Sequence, residues 1–222
     1  MMDESASQLI VSLKITEIFF SIQGESRTVG LPTVFVRLTG CPMRCHYCDT
    51  AYAFNGGTKM KLDDIVTEVA KYNTPYVTIT GGEPLAQANV HQLMTVLCDK
   101  GYEVSLETGN AIDIADVDSR VYTVLDIKTP ASGEEANNKY SNLDHIKSSD
   151  CLKFVICDEE DYQWSKQQLE QRALVDKCEV FFSPSADQLP ARDLADWIVR
   201  DQLPVRLQIQ LHKYLWDNAV GK

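Results

Sequence analysis

The chain has 222 residues, 44% of them hydrophobic and 24% charged, with a formal net charge of −11. That length suits one domain around one core, and no apolar run approaches the ~20 residues that span a bilayer. The acidic balance argues against a face built to neutralise phosphates, which needs clustered Lys and Arg, so a small molecule is a better substrate class than nucleic acid.

Met1 to Gln8 places no basic start before an apolar stretch, so it does not read as a secretory signal, and the expected compartment is the cytoplasm. Ser12 to Phe20 is rich in β-formers and predicts a strand, followed by the turn-rich Ile22-Gln23-Gly24-Glu25-Ser26. Thr33 to Thr39 predicts a second strand, with Val34, Val36 and Leu38 on one face and Phe35, Arg37 and Thr39 on the other. Leu62, Ile65, Val66, Val69 and Ala70 fall at helical spacing, predicting a helix to about Tyr72. Tyr76 to Thr80 then predicts a strand leading into Gly81-Gly82-Glu83-Pro84. Val90, Leu93, Met94, Leu97 and Cys98 predict a helix stopped by Gly101, before a strand at Glu103 to Glu107.

Val121 to Asp126 and Leu152 to Cys157 read as further strands, but 108–120 and 127–150 carry only short or weak helical patterns, so some crossover helices are expected to be missing. A polar helix over about 159–173, a strand at Glu179 to Ser183, a helix from Ala191 to Arg200 and a strand at Val205 to Gln210 complete the alternation. This pattern predicts an α/β chain of parallel strands with right-handed crossovers, an incomplete (β/α) barrel with reduced crossover helices. One domain is expected over 1–222: an N-terminal tail and strand over about 1–32, the core barrel over about 33–211 and a C-terminal tail over 212–222. In such a barrel the chemistry sits on loops at the strands' C-terminal ends. The cysteine-rich loop after Gly40, the Gly81 turn, Glu107-Thr108-Gly109, Asp126-Ile127-Lys128, Ser183-Pro184-Ser185 and Gln210-Leu211-His212 would then share one face.

Cys41-Pro-Met-Arg-Cys45-His-Tyr-Cys48 packs three of the seven cysteines into eight residues. Three readings fit the spacing. Thiolates ligate iron–sulfur clusters, and three for a [4Fe–4S] cluster would leave one iron open. Structural zinc favours four ligands in two pairs, and His46 is wedged between Cys45 and Cys48. A Cys45–Cys48 redox pair leaves Cys41 without a role. Cys98, Cys151, Cys157 and Cys178 lie singly in apolar surroundings and read as small hydrophobes.

The cysteine triplet followed by Gly81-Gly82-Glu83-Pro84 resembles the radical S-adenosylmethionine (SAM) superfamily. What the resemblance implies is a [4Fe–4S] cluster on Cys41, Cys45 and Cys48 whose fourth iron binds SAM, with Tyr47 at the adenine. The physical chemistry of the turn agrees: Gly82 lets the backbone approach a ligand and the Glu83 carboxylate can accept from an ammonium. Gln23-Gly24-Glu25, Phe35 to Gly40, Cys48-Asp49-Thr50, Thr80 to Pro84, Glu107-Thr108 and His212-Lys213-Tyr214-Leu215 narrow the resemblance to the 7-carboxy-7-deazaguanine synthase family of the queuosine pathway. That family converts 6-carboxytetrahydropterin to 7-carboxy-7-deazaguanine with loss of ammonia.

Carried over, the resemblance assigns Arg37 to the substrate carboxylate, and Ile22, Gln23, Gly24, Glu25, Thr80, Glu107 and His212 to the frame around the pterin. Arg37, Glu107 and His212 stand as its catalytic set, Thr50 as the Mg2+ ligand, and Asp126, Ile127, Lys128 and Ser183 as SAM contacts. Its expected partners are a reductant such as flavodoxin or ferredoxin and a second copy in a homodimer. The alternatives are another small radical SAM enzyme, such as a glycyl-radical activase, and a zinc-bound interaction module. Ser26 stands where the family has glycine, Asp126-Ile127-Lys128-Thr129 replaces a Ser-Pro-Lys pattern, and Leu211 replaces threonine. The family's chain ends soon after His-Lys-Tyr-Leu, whereas here 216–222 follow, with Asp217 as a stand-in for a terminal carboxylate.

Overall fold

The computed structural model describes residues 11–217, 219 and 221. The expectations for the tail over 1–10, and for Asn218, Val220 and Lys222, lie outside the described residues. Strand β1 (Ser12–Ile22) runs antiparallel to β2 (Pro32–Leu38) and to a short β3 (Thr58–Lys61). From β2 onward the strands are parallel: β4 (Tyr76–Gly81), β5 (Glu103–Thr108), β6 (Tyr122–Ile127), β7 (Cys151–Ile156), β8 (Glu179–Pro184) and β9 (Arg206–Leu207). The sheet order is β3-β1-β2-β4-β5-β6-β7-β8-β9.

Four helices, α1 (Leu62–Val69), α2 (Val90–Asp99), α3 (Glu159–Gln171) and α4 (Ala191–Asp201), follow β3, β4, β7 and β8. As expected, 109–121 has no helix and 128–150 only 3₁₀ turns. Three parts differ from expectation. The edge strand β3 has the sequence Thr-Lys-Met-Lys, whose single partly buried side chain gives no alternation to read. The strand expected over 205–210 shrinks to two paired residues. His212 stands on a short helix, α5 (Leu211–Trp216), not beside a strand.

Because side chains alternate along a strand, each strand serves two environments. The outward set (Val34, Val36, Leu38, Ile79, Leu106, Leu125, Ile127, Leu152, Phe154, Phe182) packs with Leu93, Met94 and Leu97 of α2, Ile65 of α1, and Leu194 of α4 in one large core. The opposite parity forms a small separate cluster of Tyr122, Val124, Cys151 and Phe181. One pleat further along the same strands stand Asp126, Lys153 and Ser183, with Glu107 beside them on β5. The lumen therefore has an apolar floor and a charged layer above it.

The curled sheet is closed by side chains and loops. The Gln208 side chain accepts from the Ser26 N–H at 2.7 Å and donates to the Ser26 carbonyl at 3.0 Å, while the Leu211 N–H donates to the Gly24 carbonyl at 3.0 Å. Ser26 has a left-handed φ of 64°, a region that favours glycine. The two Gln208 bonds hold the serine in that conformation. No described helix is long and apolar enough to cross a membrane.

Candidate active site

The cysteine loop leaves β2 at Gly40 and is pinned on two sides. The Glu83 N–H donates to the Gly40 carbonyl at 2.8 Å, and the His46 N–H donates to the Ser132 carbonyl at 3.0 Å. A Cβ at Gly82 would stand 2.3 Å from the Gly40 oxygen and 2.8 Å from the Cys41 Cβ, so this position needs glycine if Cys41 is to keep its place. The His46 ring sits against Gly133, with Nδ1 3.2 Å from the Ala131 carbonyl. It ties the cysteine loop to the 131–133 turn.

The thiols are free and partly exposed, and burial pushes Cys41 up and Cys45 up to about 11. Among the described residues no three His, Cys, Asp or Glu side chains are gathered as they would be around a single metal ion. Three soft thiolate donors on one partly open loop, with a close-packed glycine beneath Cys41, fit an iron–sulfur cluster with an incomplete protein ligand set.

The Gly-Gly-Glu-Pro turn supports the loop differently from the sequence expectation. Glu83 is fully buried, and its carboxylate accepts from the Leu85 N–H at 3.0 Å, the Gly109 N–H at 2.8 Å and the Thr108 hydroxyl at 2.9 Å. Burial raises its pKa against these donors. The carboxylate clasps the loops after β4 and β5 together, leaving the Gly82 backbone nearest the cysteines.

Asp126 and Lys128 pair at 2.9 Å, and the Lys128 ammonium lies 5.7 Å from the centre of the Tyr47 ring. Burial lowers the Lys128 pKa, but the charge and hydrogen bond of Asp126 together with Tyr47 and Cys45 more than reverse this. Buried polar atoms without partners cluster in this region: Tyr47 Oη, Asp126 Oδ1 and Ser183 Oγ. Such atoms call for a ligand or water. Ile127 is the exception among the expected SAM contacts, because its side chain lies in the outer core and only its backbone faces the loop side.

On the other side, Arg37 donates through Nε to Glu17 at 2.8 Å, as the cross-strand register Glu17↔Arg37 dictates. Glu17 also accepts from Tyr52 Oη at 2.7 Å, and among the described residues no hydrogen bond engages the terminal nitrogens of Arg37. Thr80 is the Cα partner of Arg37 across the β2–β4 ladder. Ile22 closes β1, opposite Pro32, and leads into the Gln23 turn. Gln23 donates to Thr78 Oγ1 at 2.9 Å, and Thr78 meets Ser105 Oγ at 2.8 Å, fixing the turn over the lumen.

Glu25 sits under His212, for which Gly24 makes room: a Cβ there would stand 2.1 Å from His212 Nδ1. Burial would raise the Glu25 carboxyl, but Lys153 at 2.5 Å outweighs it and holds it at about 2. Glu107 responds in the opposite sense. Burial lifts it to about 7, against the pull of Lys153 at 3.9 Å. Burial lowers the His212 imidazole, favouring its neutral form. Lys213 pairs with Asp49 at 3.0 Å, which brings α5 against the end of the cysteine loop. Thr50 occupies the N-cap position of the 51–54 turn, but its hydroxyl caps nothing and lies 3.7 Å from Cys48 Sγ.

The sequence reading missed Lys153. Its signal was a lone lysine at the third position of an otherwise apolar strand, where a buried charge must have a partner.

A model of the Radical SAM superfamily matches residues 35–118, from β2 to the loop after β5. The chain is 44% identical to a 7-carboxy-7-deazaguanine synthase of Chlorobaculum tepidum over 92% of this chain and 94% of that protein. It is 41% identical to one of Koribacter versatilis, over 92% and 97% of the two chains. The crystal structure of QueE from Escherichia coli superposes with a TM-score of 0.75 at 20% identity, covering 90% of this chain and 95% of that one, and so shares its fold. With relatives this similar along nearly the whole chain, the chain belongs to the 7-carboxy-7-deazaguanine synthase family of radical SAM enzymes.

Proposed function

We infer that the chain is a radical SAM lyase that converts 6-carboxytetrahydropterin to 7-carboxy-7-deazaguanine with loss of ammonia. The observation that supports the site assignment is that Lys128 and Asp126, at the edge of the lumen that Glu25 and Glu107 line, lie within electrostatic reach of Cys45 in the loop of Cys41, Cys45 and Cys48. When bound, the [4Fe–4S] cluster and SAM supply a 5′-deoxyadenosyl radical for hydrogen abstraction. The three cysteines would hold the cluster, the Gly82 backbone, Tyr47, Asp126, Lys128 and Ser183 would line the SAM side, and the protein's part is to orient the reactants and exclude water.

On the substrate side, Arg37 offers its terminal nitrogens to the pterin carboxylate, while Glu17 fixes the direction of the fork. Glu25 and Glu107 accept from the pterin N–H groups, with the Gln23-Gly24 backbone, Thr80 and His212 bounding the ring. The uncapped Thr50 hydroxyl is the Mg2+ ligand of this reading, since Mg2+ keeps several waters and can share a substrate oxygen. A reductant such as flavodoxin or ferredoxin belongs to the same proposal. So does a homodimer, supported by exposed Phe20, Val29 and Leu31 near the β1–β2 turn and by Leu207, Ile209 and Leu215 along the open edge.

The test is anaerobic reconstitution and turnover of 6-carboxytetrahydropterin with SAM, with and without Mg2+. Formation of 7-carboxy-7-deazaguanine, with iron and sulfide in the protein, is the expected result. A reconstituted protein that cleaves SAM without producing a deazaguanine would overturn the substrate assignment. Arg37→Ala separates this reading from an activase, because only a pterin-binding lumen needs that side chain.

A further inference from the structure

The charged layer of the lumen is centred on a side chain that has no role in the reading above. Lys153 rises from the middle of β7, is 8% exposed, and its ammonium stands 2.5 Å from Glu25, 3.9 Å from Glu107 and 4.0 Å from Asp126. We propose that Lys153 is a positioning residue for the pterin: it directs Glu25 and Glu107 and opposes their protonation, so that both can accept N–H groups from the substrate. The proposal rests on the pterin reading and deepens it.

The surroundings leave this task to Lys153. The groups facing it are Glu25 from the turn after β1, Glu107 from β5, Asp126 from β6, Lys128 just past the end of β6, and His212 from α5. Tyr122, Cys151 and Arg27 lie around the floor below. Lys128 is committed to Asp126, Arg27 lies 4.4 Å above the Tyr122 ring, and burial favours neutral His212. Among the described residues, Lys153 alone is within ion-pair distance of both Glu25 and Glu107.

A lysine serving only the fold would need one carboxylate, and a buried pair of that kind is no more stabilising than an apolar pair. Here three carboxylates face two ammonium groups, leaving one acceptor in excess in a lumen where Asp126 Oδ1 and Ser183 Oγ also lack partners. That excess suits a ligand rich in N–H donors. Burial already lifts Glu107 to about 7 with the ammonium in place, so loss of that charge would leave it protonated, a donor where an acceptor is needed.

The test is binding of 6-carboxytetrahydropterin to the anaerobically reconstituted protein, without SAM, titrated from pH 6 to 9. For the parent protein, binding should tighten as pH rises through about 7. In Lys153→Met the rise should move up by at least about one pH unit, with affinity at pH 7 weaker by about fivefold or more. Lys153→Arg should restore the parent profile, because arginine keeps its charge. If Lys153→Met does not fold, Lys153→Met/Glu25→Gln removes the orphaned carboxylate and should show a profile displaced in the same direction but by less, because the Glu25 charge that also raises Glu107 is gone. A parent-like profile in the Met variant or in the double variant, or an Arg variant that behaves like Met, overturns the proposal. A parent protein that binds no pterin fails at the functional reading instead, so the two failures are distinguishable.

Discussion

The outer face of the sheet and its lumen are built from the same strands, one residue out of step, and they are held together by different forces. Leu106 is fully buried among apolar neighbours in the outer core, while Glu107, the next residue on β5, faces Lys153 across the lumen. The outer face gains stability from apolar burial. The inner face retains charges whose desolvation is only partly repaid by pairing, which is the usual cost of a site prepared for a polar ligand.

The sharpest way to break the contrast is on β5 itself. Leu106→Ala should destabilise the fold by about 2–5 kcal/mol through lost burial and a residual cavity, with deazaguanine formation per folded molecule near the parent's. Thermal unfolding beside the product assay checks this, and an intact Tm would mean that the outer layer is less tightly packed than described.

Glu107→Gln should do the reverse. Its folded pKa of about 7 exceeds the ordinary value of 4.5, so the folded state holds the extra proton between these values and stability falls as pH rises through them. The variant should lose product formation, match the parent at pH 4, and gain on the order of 1–3 kcal/mol over it at pH 8. Denaturant titrations at the two pH values are the measurement. Glu25 has the opposite sign, since its contribution is present above 4.5 and is lost as pH falls toward 2.

Smaller effects sharpen the boundary. Gly24→Ala places a methyl against His212 and should cost about 1–3 kcal/mol as α5 shifts, with KM for the pterin rising. A parent-like KM would remove His212 from the substrate frame. Ser26→Gly relieves a left-handed φ and should be neutral to stabilising by up to about 1 kcal/mol, read as an unchanged or raised denaturation midpoint.

The outer face was legible in the sequence because period-two alternation, as in Val34, Val36 and Leu38 against Phe35, Arg37 and Thr39, is a direct print of burial. The cysteine loop was legible from spacing. What alternation could not supply were partners: Lys153 reads as one charge in a strand until Glu25 arrives from 128 residues away. Glu83 read as an open acceptor because the sequence does not reveal that Thr108 and Gly109 enclose it. The α5 segment Leu-His-Lys-Tyr-Leu-Trp is too short to show a helical period, and His212 was recognised by its motif alone.

The closure through Gln208 and Gln210 also sets a timetable. Gln208 reaches Ser26 across 182 positions and Gln210 reaches Glu25 across 185, so the turn expected to receive the pterin gains its far wall only when nearly the whole chain is available. Such distant contacts form late, because the entropy of closing the intervening chain must be met before they reward it. During synthesis the outer core of β2, β4, β5 and the first two helices can consolidate while the lumen stays open along one side. Competence to bind substrate would then appear as a final, separable stage of folding, after most of the protein's stability is in place.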